Sequence, residues 1–167
     1  MKKLLLFFVA VMTIVGCATS EERAARQAEH MEKVKAAVGN QHYKINMRAM
    51  IPLRSNSINL SGIYYLKVNG NELITDLPYL GRDDVPHFKT RGERKFDSKI
   101  EIRGQMEDYH LALMPTKKAG LVTFKANDRG EDCSFNIQIF SDGLAKLTVK
   151  PERRDEIRYE GYVESSN

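Results

Sequence analysis

The pattern of apolar and polar positions divides the chain into three stretches. From Leu4 to Val15 the residues are almost uninterruptedly apolar, with Thr13 the one polar member of twelve. From Thr19 to Gly39 apolar residues recur at helical spacing: Ala24, Ala28, Met31, Val34 and Val38. This predicts a helix with a thin, mostly alanine stripe. Thr19 and Glu22 make a T-x-x-E capping box, and Gly39 is the expected stop. Such a helix either packs loosely on the rest or stands as a stalk of about 28 Å at 1.5 Å per residue.

Beyond Gly39 the period shortens to two, the spacing of half-buried strands. His42–Ile51 is the first strand predicted, and Ile63–Val68 the second. Asn69-Gly70, a strong hairpin signal, returns the chain into Glu72–Leu77. Further strands are expected at Lys95–Arg103, around Tyr109, Leu111 and Leu113, and at Leu121–Ala126. The last three are Cys133–Phe140, Ala145–Val149 and the segment carrying Ile157, Tyr159, Gly161 and Val163. Tight turns between short strands make neighbours antiparallel. The expected fold is mainly β (α+β): an N-terminal helix, then an antiparallel meander of about eight or nine strands, as an up-and-down barrel or a two-sheet sandwich.

The first apolar run is too short to cross a bilayer, which takes about 20 residues. Preceded by Lys2-Lys3, it reads as the core of a secretory signal. Ile14-Val15-Gly16-Cys17 has the register of a lipobox: branched aliphatic, β-branched, Gly, Cys. An ordinary signal-peptidase site would want a small residue where Ile14 stands. The expectation is therefore a signal peptide at 1–16, Cys17 lipidated as the first mature residue, a helix or stalk over 17–39, and one β domain over 40–167. The lipid would supply the contact with the membrane. The expected location is the cell envelope, at the outer membrane.

Charge changes little. Lys and Arg total 26 against 22 Asp and Glu, a net +4. Without Lys2 and Lys3 the balance is 24 against 22, or +2. There is no basic block, and no nucleic-acid partner is expected. With Cys17 acylated only Cys133 remains, so no internal disulfide can form. Cys133 is in phase with Phe135, Ile137 and Ile139, which marks it as a small core residue.

Two stretches carry a resemblance. One runs from Tyr43-x-Ile45 through Met50-x-Pro52, Leu60, Tyr65-Leu66, Val68 and Gly70 to Leu77-Pro78-Tyr79-Leu80-Gly81-Arg82. The other is Phe135-x-Ile137-x-Ile139-Phe140-Ser141-Asp142-Gly143, then Val149 and Ile157-x-Tyr159-x-Gly161. Over residues 20–163 the chain resembles the lipoproteins of gut Bacteroidota grouped as domain of unknown function 4251. That resemblance implies a lipobox, a charged helix and a β-rich body. It implies no activity. In that family small or aromatic residues usually follow Gly81-Arg82, whereas here Asp83-Asp84 follow, so a site shared on that loop is not implied.

Motifs of catalysis are not found: there is no GxSxG, HExxH, P-loop or GxGxxG. His30, His42, His87 and His110 lack metal-ligand spacing, and neither a metal nor a cofactor is expected. The most informative segment is the long connection from Pro78 to Arg94. Tyr79, Arg82, Asp83, Asp84 and His87 there combine an aromatic, a guanidinium, two carboxylates and an imidazole, a set suited to a polar ligand. The plain alternative is a solvated loop with Gly81 and Pro86 as turn residues. The sequence thus points to a non-enzymatic binding or structural module, with a small molecule, glycan or protein as partner. The competing reading is a hydrolase using the loop's carboxylates.

Overall fold

The computed structural model describes residues 20–81, 87–88, 94–95, 98–114 and 119–164, with only part of the helix's side chains. Helix α1 spans Ser20–Gly39. Twelve strands follow: β1 (His42–Pro52), β2 (Ile58–Asn59), β3 (Tyr65–Asn69), β4 (Glu72–Tyr79), β5 (His87–Phe88), β6 (Arg94–Lys95), β7 (Ser98–Gln105), β8 (Glu107–Met114), β9 (Ala119–Asp128), β10 (Glu131–Phe140), β11 (Leu144–Pro151) and β12 (Ile157–Val163). All but β5 and β6, which pair with each other, belong to one ten-stranded antiparallel sheet. Its order is β7-β4-β3-β1-β12-β11-β10-β9-β8, with β2 attached to β1.

The meander is therefore present, strand for strand, and its last strand returns to pair with its first. The sheet is not closed into a barrel, nor divided into two. Nine alternating strands cannot close a ring with every neighbour antiparallel, and here the misfit falls between β7 and β8. The two head the same way through the sheet. Together they form one long bent run, pairing first with β4 and then with β9. Asp108, with φ of 54°, lies at the bend, where the β8–β9 register slips between Glu107 and His110. β7 lies against β9 without a ladder, and Arg129 reaches Glu101 across the gap at 3.3 Å.

Alternation explains the core. Inward positions of successive strands supply Ile45, Leu66, Leu73, Leu77, Ile100, Val122, Phe135, Ile137, Leu147, Val149, Ile157 and Tyr159, all essentially without solvent contact. Phe124 stacks on Phe135 at 4.8 Å between ring centroids, and Tyr109 on Phe124 at 6.1 Å. Cys133 lies in this core as a free, fully buried thiol.

Three local expectations change. Ile63, expected in the second strand, lies ahead of β3 and is 84% exposed. The reason is the β-bulge between Met47 and Ala49: beyond it β1 pairs with β2, so the β3 ladder ends at Asn46 and Tyr65. The helix stop is not a left-handed Gly39. Gln41 takes the positive φ (56°), after Asn40 N–H and Gln41 N–H donate to the carbonyls of Ala36 and Val38. The expected core side chains Leu111 and Leu113 are 38% and 62% exposed, because β8 ends the strand order and has a neighbour, β9, on one side only among the described residues. Thr19 of the expected capping box lies outside the described residues.

The end of α1 joins the body. Val38 is buried in the core, and the Tyr109 hydroxyl donates to its carbonyl at 3.1 Å. Gly161 allows β12 to approach the bulge of β1: a Cβ there would collide with the carbonyl of Asn46.

Candidate functional site

Loops at the β4–β7 end of the sheet carry the expected site, so the geometry there decides what the loop can be attached to. Asp128 and Glu131 close the β9–β10 hairpin and face each other in register. Both occupy inward positions, Asp128 being 4% and Glu131 9% exposed. Buried carboxylates need a partner, since desolvation otherwise costs several kcal/mol each. Here one cation from the β11–β12 turn serves both. Arg154 donates from its terminal nitrogen to Asp128 Oδ2 at 2.6 Å and from Nε to Glu131 Oε2 at 2.6 Å.

The same guanidinium reaches across the open sheet. It donates to the Lys99 carbonyl on β7 at 3.5 Å, and its carbon lies 4.9 Å from the centre of the Tyr79 ring on β4. Arg153 N–H donates to Glu131 Oε1 at 2.7 Å, while its side chain donates to the Gly130 carbonyl at 2.6 Å. The Tyr79 hydroxyl donates to the Asp155 carbonyl at 3.0 Å, and the Tyr159 hydroxyl to the Pro78 carbonyl at 2.7 Å. Asn127 secures the hairpin itself: its Oδ1 accepts from Gly130 N–H at 2.6 Å and its Nδ2 donates to Asp132 at 2.8 Å. Chemically, this latch cross-links β4, β7, β9, β10 and the β11–β12 turn.

Its electrostatics follow from burial and pairing. Burial raises the Glu131 carboxyl, but the Arg153 amide and the Arg154 side chain outweigh that and hold it below its ordinary value. Desolvation works against the Arg154 charge, yet the two carboxylates raise its pKa overall. Beneath them the Cys133 thiol is pushed up to about 11, mainly by burial, so it stays protonated. Asp128 Oδ1 is buried and accepts no hydrogen bond; the Nε of Arg129 lies 3.9 Å from it. Among the described residues no group of three or more His, Cys, Asp and Glu is placed to hold a metal ion.

Of the residues expected at the site, only Tyr79 can be placed in full. It is 3% exposed, under Arg154, and so belongs to the latch. Arg82, Asp83 and Asp84 lie outside the described residues, as does the side chain of His87, whose backbone pairs with Lys95. Of the other histidines, His42 shares a hydrogen with the Asn40 carbonyl at 2.6 Å and His110 is exposed. The His30 side chain is outside the described residues. Sequence reasoning missed Asp128, Glu131 and Arg154. A signal was present: Asp128 continues the inward phase of Val122, Phe124 and Ala126, and Glu131 begins that of Cys133 and Phe135. Acidic residues on a core face imply a buried partner.

No helix among the described residues is long and apolar enough to cross a membrane. No curated protein matches the chain. A solved structure, that of a DUF4251 family protein from Bacteroides eggerthii DSM 20697, superposes with a TM-score of 0.63 over 84% of this chain and 91% of the other, at 13% identity. At that identity the likeness concerns the fold. The family model for the domain of unknown function DUF4251 matches residues 25–163. The protein described here therefore belongs to the DUF4251 family.

Proposed function

We propose that the protein is a lipid-anchored module of the cell envelope, held in the outer membrane by acyl chains on Cys17, that works by binding or as a structural component and not by catalysis. One observation carries the non-enzymatic part. The buried titratable groups that converge, Asp128, Glu131 and Arg154, are turned on one another and on the backbone. A catalytic pair would instead leave a group directed at substrate, with a pKa brought toward neutrality. Here Glu131 is shifted down, away from neutrality, and Cys133 is held as a thiol.

The binding part rests on the connection from Pro78 to Arg94. Its base is fixed on both sides, by Tyr79 and Pro78 on β4 and by Lys99 on β7, all tied to the latch. A rigid base under a polar loop is the usual arrangement of a binding loop on a sheet. Arg82, Asp83, Asp84 and His87 are the candidate ligand contacts, with Tyr79, held in the latch, at the start of the same connection. The ligand class proposed is a small molecule, glycan or peptide carrying an anionic group for the Arg82 fork.

The test is a thermal-shift screen of anionic glycans, bile acids and peptides, followed by affinity measurement on wild type and on Arg82→Ala. A drop of tenfold or more in affinity, without loss of stability, is the expected result. Unchanged affinity would move the site off this loop. Turnover of any ester, glycoside or peptide in the screen, abolished by Asp83→Asn and Asp84→Asn together, would replace the proposal with a hydrolase.

A further inference from the structure

The outer face of the sheet carries one row of side chains unlike the rest. Register places Tyr65 of β3 beside Asn46 of β1, and Asn46 beside Tyr162 of β12. Successive side chains of a strand point to opposite faces. The chain neighbours of these three, Leu66, Ile45 and Val163, are buried, so the row faces outward. Another outward row, Arg158, Thr148, Asn136, Thr123 and His110 across β12 to β8, has no aromatic member. Tyr162 is 53% exposed, and Tyr65 is half-buried.

Sheet packing does not account for the two tyrosines. Outward aromatics stabilise a sheet by lying against a directly opposite partner, but here the polar Asn46 stands between them. Two strand spacings, about 10 Å, separate their strands. The polar groups of the row are also open. Asn46 donates one N–H to Glu164 at 3.1 Å. Among the described residues no other side-chain hydrogen bond engages its amide or either tyrosine hydroxyl.

Charge selects the kind of ligand. Lys44 lies 5.5 Å from the centre of the Tyr65 ring, but Glu164 holds its ammonium at 2.7 Å. Asp76, the other cross-strand neighbour of Tyr65, is held by Lys99 at 2.9 Å. These charges are matched within the protein, so a charged ligand would compete with one pair or the other. Lys67 and Arg48, the next outward residues along β3 and β1, are exposed and stand outside the row. A neutral ligand fits if it has apolar faces for two rings about 10 Å apart and hydroxyls for the amide between them. Sugars have this composition, with C–H groups on the ring faces and hydroxyls around the rim. We infer that Tyr65, Asn46 and Tyr162 form a binding site for a neutral oligosaccharide, whose rings stack on the tyrosines while its hydroxyls bond Asn46. This site is separate from the loop proposed above for an anionic ligand, and neither depends on the other.

The experiment uses the full chain, extracted in a detergent without sugar headgroups and titrated calorimetrically with cellotetraose, mannotetraose and xylotetraose. At least one is expected to bind wild type, and about tenfold or more tightly than its own monosaccharide, because two rings are engaged. Tyr162→Ala and Asn46→Ala are each expected to weaken that binding about tenfold. Both side chains lie outside the core, so the thermal transition should stay in place. Arg82→Ala and added salt are expected to leave the affinity unchanged. The inference is overturned if no probe binds, or if the monosaccharide binds as tightly as the chain. It also falls if Tyr162→Ala and Asn46→Ala both retain full affinity, or if binding is lost in Arg82→Ala or in high salt. As a separate arm, a photo-crosslinking residue is placed at position 162 in cells. Capture of a protein there, with the probes unbound, would replace the sugar with that protein.

Discussion

Arg154 is the residue on which most separate segments depend. It is half-withdrawn from water, and its loss would strand Asp128 and Glu131 inside the sheet. Removing one member of a buried ion pair typically costs about 3–5 kcal/mol. Arg154→Met is expected to approach the lower end, about 3 kcal/mol by chemical denaturation, because Arg154 keeps some solvent contact. Arg154→Lys should restore only part of this, since a single ammonium cannot fork between two carboxylates. The same latch gives a pH dependence with a definite sign. Glu131 has a folded pKa below its unfolded value, so its contribution is complete above the unfolded value, near 4.3. It disappears as pH falls through the lower, folded value. Wild type should therefore lose stability more steeply than Glu131→Gln below about pH 4.3. Parallel curves would remove Glu131 as a source. Cys133 offers a separate check. With its thiol fully buried and pushed up to about 11, native protein at pH 8 should resist a thiol reagent in a Cys17→Ser background. Denaturant should restore labelling at the ordinary rate. Rapid native labelling would contradict the placement of this side chain.

At the scale of elements, the strands were legible because alternation, turn residues and β-branched content agreed. Tyr65–Asn69, Glu72–Tyr79, Glu131–Phe140 and Ile157–Val163 stand within a few residues of their expected bounds. What alternation does not carry is the pairing partner. The bulge at Met47 diverts β1 from β3 to β2, and Gly161 makes room for β12 at that point. Neither residue announces the event in a pattern of period two. The helix illustrates the same limit. Its weak stripe suggested a separable stalk, and Glu22, Ala25, Ala28, Glu29, Glu32, Lys35 and Ala36 are indeed exposed. Val38, at its end, belongs to the core nevertheless, and Ala37 packs against it. The two parts should therefore separate experimentally. Deleting residues 17–35 is expected to shift the thermal midpoint by only a few degrees, a change of about 1 kcal/mol or less. Val38→Ala in the full mature chain should cost about 2 kcal/mol, from two lost methyl groups and the cavity they leave. If the deletion abolishes the cooperative transition while Val38→Ala leaves it unchanged, the body depends on the outer helix, not on its last turn.

For the whole molecule, the order of the strands is simple enough to read from the chain, whereas the shape they make is not. Whether nine strands close depends on edge pairing and twist, and the handover from β4 to β9 along β7 and β8 leaves the sheet open. The candidate site divides in the same way. Tyr79 was chosen from a contiguous loop, but the groups that fix it, Arg154 and Asp155, lie 75 and 76 positions further on. Long-range convergence of that kind leaves no local signature beyond the misplaced acids on a core face. The N-terminus is the opposite case, since the proposed lipid anchor rests on local sequence alone. Lys2-Lys3, the apolar run Leu4–Val15 and Ile14-Val15-Gly16-Cys17 stand in one register. On the proposal made above, the charge would orient the segment, the run would engage the export machinery without spanning the membrane, and the cysteine sulfur would accept a diacylglycerol. Two or more acyl chains, at about 0.8 kcal/mol per buried CH₂, suffice for stable anchoring without help from the folded body. Cells fed an alkyne fatty acid should therefore label the wild-type protein and leave Cys17→Ala unlabelled. Cys17→Ala should also retain the signal peptide or leave the membrane fraction, whereas Cys133→Ala should do neither. Equal labelling of wild type and Cys17→Ala would show that the anchor lies elsewhere, and with it the proposed place of the protein in the envelope would fall.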